Sequence, residues 1–180
     1  MSSTNLLLRM HRGDEGAARA LWDSLGPALV AYVRASRPGA SAEDAVQEAF
    51  LSALRMQRRE LKKVRDVRAW MYRLVRNAAM NQLRSETRLR AREAASPVPE
   101  PAQEQGSTTD QLWCLVADLP DDQREAVVLK HVAGLTFDQA SIVLEIPRST
   151  IAGRYKSAIE SLRVSERAPG GEPERRKAHV

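Results

Sequence analysis

The sequence predicts an all-α protein: two small helical domains joined by a flexible linker. Three observations carry that expectation. Apolar residues recur at helical spacing in both halves of the 180-residue chain, and no stretch keeps the two-residue alternation of a strand. Residues 93–109 (EAASPVPEPAQEQGSTT) break the pattern with Pro97, Pro99 and Pro101, then Gly106, Ser107 and Thr108, a composition that forbids helix interior and favours extended chain. The aromatic share is only 4%, so the cores must be built from Leu, Ala, Val and Ile. The expected organisation is a first domain over 1–92, an acidic Pro-rich linker over 93–109, a second domain over 110–163, and a disordered tail over 164–180, rich in Pro, Gly and charge.

The first predicted helix covers about 14–34, where Ala17, Ala18, Leu21, Leu25, Leu29 and Val33 recur on one face; Pro27 is expected to kink or split it. Residues 37–40 (RPGA) close it, and Ser41 supplies an N-cap for the next helix. There Val46, Ala49, Phe50, Ala53 and Leu54 form one stripe expected to be buried. Glu43, Asp44, Gln47, Glu48 and Leu51 project from the opposite face. Carboxylates in a first turn complement the helix dipole, but an acidic, partly apolar face within a basic domain also suits docking of a second protein. Composition leaves both readings open.

A loop is expected over 58–66 (RRELKKVRD), followed by a long helix over about 67–92. Trp70, Met71, Leu74, Val75 and Ala78 are its candidates for burial. Arg73, Arg76, Asn77, Met80, Asn81 and Arg84 line up on another side. Arginines supply phosphate contacts, and a carboxamide can pair with a base edge through a donor and an acceptor together. Asn is unfavourable inside a helix, so Asn77 and Asn81, four apart, read as nucleic-acid contacts rather than tolerated surface polarity.

The charge distribution agrees. The whole chain carries +5, yet residues 55–92 hold thirteen basic against three acidic side chains, net +10. The linker is −3, residues 110–163 are −2 and the tail is +1. Ordinary surface helices intersperse both signs; a one-sided run of this size is the electrostatic footprint of a phosphate-binding surface.

In the second domain, Thr136-Phe-Asp-Gln139 matches a capping box, opening a helix that runs to about Leu144. Glu145-Ile146-Pro147 makes a short connection to a helix over about 148–163, with Ile151, Tyr155, Ala158, Ile159 and Leu162 facing inward. That is helix-turn-helix spacing, in which the N-terminal part of the second helix enters the major groove. Its outward residues are Arg148, Ser149, Ala152, Gly153 and Lys156, flanked by Thr150, Arg154 and Ser157. Gly153 lowers helix propensity and so asks for a packing or docking reason.

Other classes are excluded. With 43% apolar and 28% charged residues, wholesale disorder is ruled out. The one cysteine, Cys114, permits neither an intrachain disulfide nor a cysteine-rich zinc site, and with Trp113 it is expected to pack in the second domain. His11, His131 and His179 lack metal-ligand spacing. No glycine-rich phosphate loop or nucleophile motif occurs, so neither enzyme chemistry nor a cofactor is expected. No apolar run suits membrane insertion, and Leu6–Leu8 is too short for a signal-peptide core, which points to the cytoplasm.

These motifs carry a family resemblance. SAEDAVQEAFLSALR followed by DVRAWMYRLVRNAAMNQLRS resembles region 2 of sigma-70-type transcription initiation factors, and residues 119–163 resemble their region 4. With a short linker between them and no middle domain, the chain is similar to the extracytoplasmic-function (ECF) subclass. The resemblance implies a factor that binds core RNA polymerase, recognises promoter DNA at its −35 and −10 elements and assists melting. It implies that Asp44, Gln47, Glu48 and Leu51 dock on the polymerase. Lys62, Lys63, Arg65 and Asp66 in the loop, with Arg73, Arg76, Asn77, Met80, Asn81 and Arg84, would handle the −10 element and hold a flipped base. Arg148, Ser149, Thr150, Gly153, Arg154, Lys156 and Ser157 would read the −35 duplex. An anti-sigma partner is a further implication.

Two positions depart from the family pattern. Members commonly carry Gly in the turn where Glu145 stands, and Lys or Arg followed by Ser where Ala152-Gly153 stand. Weaker or differently specified −35 readout is therefore expected, with the first domain carrying more of the promoter binding. The competing readings are a free-standing helix-turn-helix regulator, for which the Asp44–Leu51 face has no use, and a sigma-mimicking interaction module, which would tolerate loss of Asn77 and Asn81.

Overall fold

The computed structural model describes residues 3–92 and 114–167, so the expected linker 93–109, Trp113 and the tail beyond Arg167 lie outside the described residues. Five helices form the first lobe: α1 (Ser3–Met10), α2 (Glu15–Ser36), α3 (Ala42–Arg55), α4 (Arg58–Leu61) and α5 (Val67–Arg92). After a helical stretch at 114–117 the second lobe has α6 (Asp121–His131), α7 (Phe137–Leu144) and α8 (Arg148–Arg167). Among the described residues there is no strand, and the all-α expectation holds.

Side-chain caps start the three long helices of the first lobe. Asp14 caps α2 by accepting the Ala17 amide at 2.9 Å, and Arg9 pairs with the same carboxylate at 2.8 Å. That amide bond first, then Arg9, holds the Asp14 carboxyl below its ordinary range. Ser41 caps α3, as the sequence indicates. Asp66 caps α5: its Oδ1 accepts the Ala69 amide at 2.9 Å.

Several expectations need correction. Pro27 does not split α2, which runs unbroken through it. The expected loop 58–66 begins with a helical turn, α4. Helix α8 continues past Arg163 to Arg167, into the stretch assigned to the tail. Leu54 is 42% exposed rather than buried with its stripe, and Cys114 is exposed rather than packed. Val46, Ala49 and Ala53 of the same stripe are buried, and α3 packs on α5.

The buried apolar side chains of both lobes form one continuous cluster. In the first lobe α2, α3 and α5 pack mutually, and Tyr32 meets Tyr72 edge-on with ring centroids 5.3 Å apart. In the second, α6 packs on α8 and α7 packs on α8. Between them α5 rests on α7 and α2 on α6, so the basic helix of the first lobe is flanked by the acidic lobe.

Candidate nucleic-acid interface

Helix α5 carries the basic and carboxamide residues on a side not needed for its core. Asn77, Asn81 and Arg84 are exposed, and Met80 is half-buried beside them. Upstream, Lys62, Lys63 and Arg65 are exposed on the turn leaving α4, with Lys63 Nζ 3.0 Å from Glu60. Between this turn, Trp70 and Arg73 opens a cleft of about 420 Å³, floored by the nearly buried Trp70 and walled on one side by Ile142 of α7. An aromatic floor beside cations is suited to stacking a base while phosphates are held at the rim.

Three predicted DNA contacts are engaged by the second lobe instead of facing outward. Arg73 Nη1 lies 3.2 Å from Glu145 Oε1. Arg76 Nε donates to Glu125 Oε1 at 2.9 Å, and Asp66 Oδ2 accepts from Gln139 Nε2 at 2.8 Å. Arg68 also donates to the Ala133 carbonyl.

Glu125 is the centre of this seam. Only 2% exposed, it accepts from the Tyr32 hydroxyl at 2.7 Å and from Arg37 Nη2 at 2.6 Å, besides Arg76. A buried carboxylate requires such partners, because isolated burial of charge is prohibitive. Burial, then the adjacent Glu125 charge and its hydrogen bond, pushes the Tyr32 phenol well above its usual value. Burial works against the charge of Arg76, but attraction to Glu125 outweighs it and strengthens protonation.

The second surface is on α3. Asp44, Gln47, Glu48 and Leu51 are all exposed, and Leu51, Leu54 and Trp22 add an apolar strip to it. Trp22 lies back over Gly26, whose position would put a Cβ 3.2 Å from the indole, and its ring centroid is 5.2 Å from Phe50. Gly26 thus lets the indole fold flat on α2.

The third surface is the start of α8. Both halves of the capping box at Thr136 and Gln139 are formed, fixing α7. Glu145 ends α7 in the left-handed region (φ 56°, ψ 36°), the one non-glycine residue there among the described residues. The turn therefore keeps the geometry that glycine would favour, with Glu145 accepting the strain. Arg148, Ser149, Thr150, Gly153, Lys156 and Ser157 are exposed, while Arg154 is half-buried and 3.2 Å from Asp122. A Cβ at Gly153 would meet no atom within 4 Å, so internal packing does not explain the glycine.

Sequence reasoning did not find Glu125, Arg37, Tyr32, Gln139 or Ile142 as parts of this site. A carboxylate set directly against the apolar run 126–129 was the available signal. Among the described residues no group of three His, Cys, Asp or Glu side chains is placed to hold a metal ion. No helix of the described residues is long and apolar enough to cross a membrane.

Comparison with known proteins follows the same division. The family described as Sigma-70 region 2 matches residues 21–89, and that described as Sigma-70, region 4 matches residues 109–162. The ECF RNA polymerase sigma-E factor of Escherichia coli (strain K12) is 24% identical over 176 residues, covering 87% of this chain and 90% of that protein. The RNA polymerase sigma factor CarQ of Myxococcus xanthus is 29% identical over 161 residues, covering 86% and 92%. The fold is similar to CnrH solved with the cytosolic domain of CnrY, with TM-score 0.66, 22% identity, and 93% and 99% of the two chains covered. It is also similar to the sigma factor RpoE solved with the anti-sigma factor NepR from Bartonella quintana, with TM-score 0.64, 22% identity, and 84% and 98% covered.

Proposed function

This chain belongs to the sigma-70 family, in the ECF subclass, and we propose that it binds core RNA polymerase and directs initiation at promoters it selects. The observation that carries the reading is the presence of both region 2 and region 4 in one chain, each presenting an exposed polar face. A free-standing regulator needs only the second of these, and an interaction module needs neither Asn77 nor Asn81 on its surface. The reading assigns the protein no catalytic chemistry and no cofactor, and its setting is the cytoplasm, where promoter DNA is found.

In this reading Asp44, Gln47, Glu48 and Leu51 bind the polymerase, with Trp22 and Leu54 extending the contact. Lys62, Lys63 and Arg65 hold phosphates at the −10 element, while Asn77, Met80, Asn81 and Arg84 receive the opened strand. Capturing an unstacked base offsets the few kcal/mol its extrusion costs, so strand opening needs no ATP. Arg148, Ser149, Thr150, Gly153, Lys156 and Ser157 meet the −35 duplex, with Arg154 held beside them. A division into a first domain over 1–92, a linker over 93–109 and a second domain from 110 to the end of α8 at Arg167 separates these tasks. RpoE is bound by an anti-sigma factor, and we extend that kind of partner to this chain.

Run-off transcription with purified core polymerase and a genomic promoter library tests the function. Stimulated, promoter-dependent initiation is expected, and folded protein that gives none sinks the reading. Asp44→Arg protein should lose co-elution with core polymerase; a free-standing regulator would be indifferent to it. Pull-downs from unstressed cells should recover an anti-sigma protein besides polymerase.

A further inference from the structure

We propose that a second cleft, lined by α5, α6 and α8, binds a polyphosphate group, either free or carried by a nucleotide. It measures about 610 Å³, a size suited to a small ligand, and shares no lining residue with the cleft beside Trp70. Arginines reach it from three elements: Arg76, Arg84 and Arg88 from α5, Arg154 from α8, and Arg37 from the cap that ends α2. A guanidinium suits phosphate because its fixed fork meets two oxygens at once.

The ion pairs around this cleft leave cations over. Glu125 is matched by Arg37 and Arg76, Asp122 by Arg154 at 3.2 Å, and Asp121 by Arg124 at 3.2 Å. Arg84 and Arg88 have no carboxylate partner among the described residues, and both are exposed. They stand four apart on α5, a spacing at which like charges repel and weaken a helix. An anion between them turns that repulsion into two attractions.

Arg37 supports the site independently. It is 6% exposed and lines the same cleft, donating from Nη1 to the Ser36 carbonyl and from Nη2 to Glu125. Its Nε nevertheless finds no acceptor. A buried donor left unpaired costs free energy that an incoming oxyanion would recover. Linked phosphates gather charge on adjacent groups, so one can meet Arg84 and Arg88 while another faces Arg37. Met80 and Leu83 line the cleft as well, an apolar wall for the nucleoside of a nucleotide.

The test adds inorganic triphosphate to the full chain at fixed ionic strength and follows binding by titration calorimetry and thermal unfolding. Expected are one site per chain and a melting temperature that rises with triphosphate. Binding should weaken about tenfold or more in Arg84→Glu and in Arg88→Glu, both surface changes that leave the core intact. Arg19→Glu makes the same charge change at an exposed position that lines neither cleft, and should leave binding nearly unchanged. The proposal is overturned by absence of saturable binding, by equal weakening in Arg19→Glu, or by sulfate competing as well as triphosphate. ATP titrated in parallel tells the two sources apart: tighter binding than triphosphate assigns a nucleotide, with its nucleoside on Met80 and Leu83, and equal binding assigns free polyphosphate. All of this is read without polymerase or promoter, so the site and the promoter reading can fail separately.

Discussion

The Tyr32 hydroxyl donates to Glu125 Oε1 at 2.7 Å across 93 positions of sequence, joining the C-terminal part of α2 to the middle of α6. Arg37 and Arg76 share the same carboxylate, so one acidic residue is held by a phenol and two guanidiniums. Such a site is expensive to leave half-made, because truncating one partner strands the others in a dry seam. Tyr32→Phe keeps the ring against Tyr72 and removes only the donor. Urea unfolding should show a loss of about 1.5–3 kcal/mol, the range for a hydrogen bond to a charged group. An unchanged midpoint would mean that Arg37 and Arg76 already satisfy Glu125.

The same buried phenol sets a pH dependence. Burial first, then the negative charge of Glu125, raises the pKa of Tyr32 above its ordinary 10.0, and burial raises Tyr72 in the same direction. A group whose folded pKa is raised lends stability that is fully present below the unfolded pKa and is lost as pH rises through the folded one. Stability should therefore be level through neutrality and fall above about pH 10, where unfolded tyrosines begin to ionise. Phenolate absorbance followed beside far-ultraviolet dichroism checks this: tyrosine ionisation should lag and then accompany loss of helix. Tyr32→Phe should flatten that alkaline decline.

How much of this was legible depends on how each helix meets its surroundings. Helices α2, α3, α7 and α8 have one buried face, and their apolar spacing gives them away. The same spacing fails for α6, where Glu125 through Leu129 are buried in succession because both lobes press on that helix. An element covered on every side has no stripe to read. The polar ridge of α5 was legible as a face, but spacing cannot say whether an arginine looks at a phosphate or at a carboxylate of its own chain. Arg73 and Arg76 look at carboxylates here, while Asn77 and Asn81 remain exposed. Glu145 was recognisable as a departure from the family turn; its bridge to Arg73, 72 positions away, was not.

Asn77 and Asn81 separate folding from function. Both are exposed on α5, so alanine at either position should move stability by no more than about 0.5 kcal/mol, and upward if anything, since Ala is the better helix former. Opened promoter DNA should be lost in the same proteins, because the strand would find no carboxamide to receive it. Permanganate footprinting of thymines in the bubble, with polymerase binding measured alongside, reads the two effects apart. Normal opening by Asn77→Ala, Asn81→Ala protein would remove both residues from the −10 surface.

The helix-turn-helix rests on a capping box that can be weighed directly. Thr136 Oγ1 accepts the Gln139 amide at 3.2 Å, and the Gln139 side chain accepts the Thr136 amide at 2.9 Å. Gln139 also reaches Asp66, which caps α5, so one side chain links the starts of two helices in different lobes. Thr136→Ala should cost about 1 kcal/mol in thermal unfolding. Gln139→Ala removes its half of the box and the inter-lobe bond together, so its loss should exceed that of Thr136→Ala; equal losses would show that the bond to Asp66 adds nothing.

Gly153 opposes stability to recognition at a single atom. It lies within α8, where glycine is less favourable than alanine by about 0.8–1.0 kcal/mol, and no neighbour lies within 4 Å of the Cβ it lacks. Nothing inside the protein therefore requires the glycine, and Gly153→Ala should raise the melting temperature of the free chain. A requirement from outside remains: with Ser149, Lys156 and Ser157 exposed around it, a bare backbone lets a duplex approach more closely than any side chain permits. The added methyl should then weaken capture of −35 duplex DNA by the polymerase complex severalfold, while initiation from templates with a pre-opened −10 region stays unchanged. A stabilised variant that binds duplex as well as before would show that α8 does not approach its DNA through Gly153.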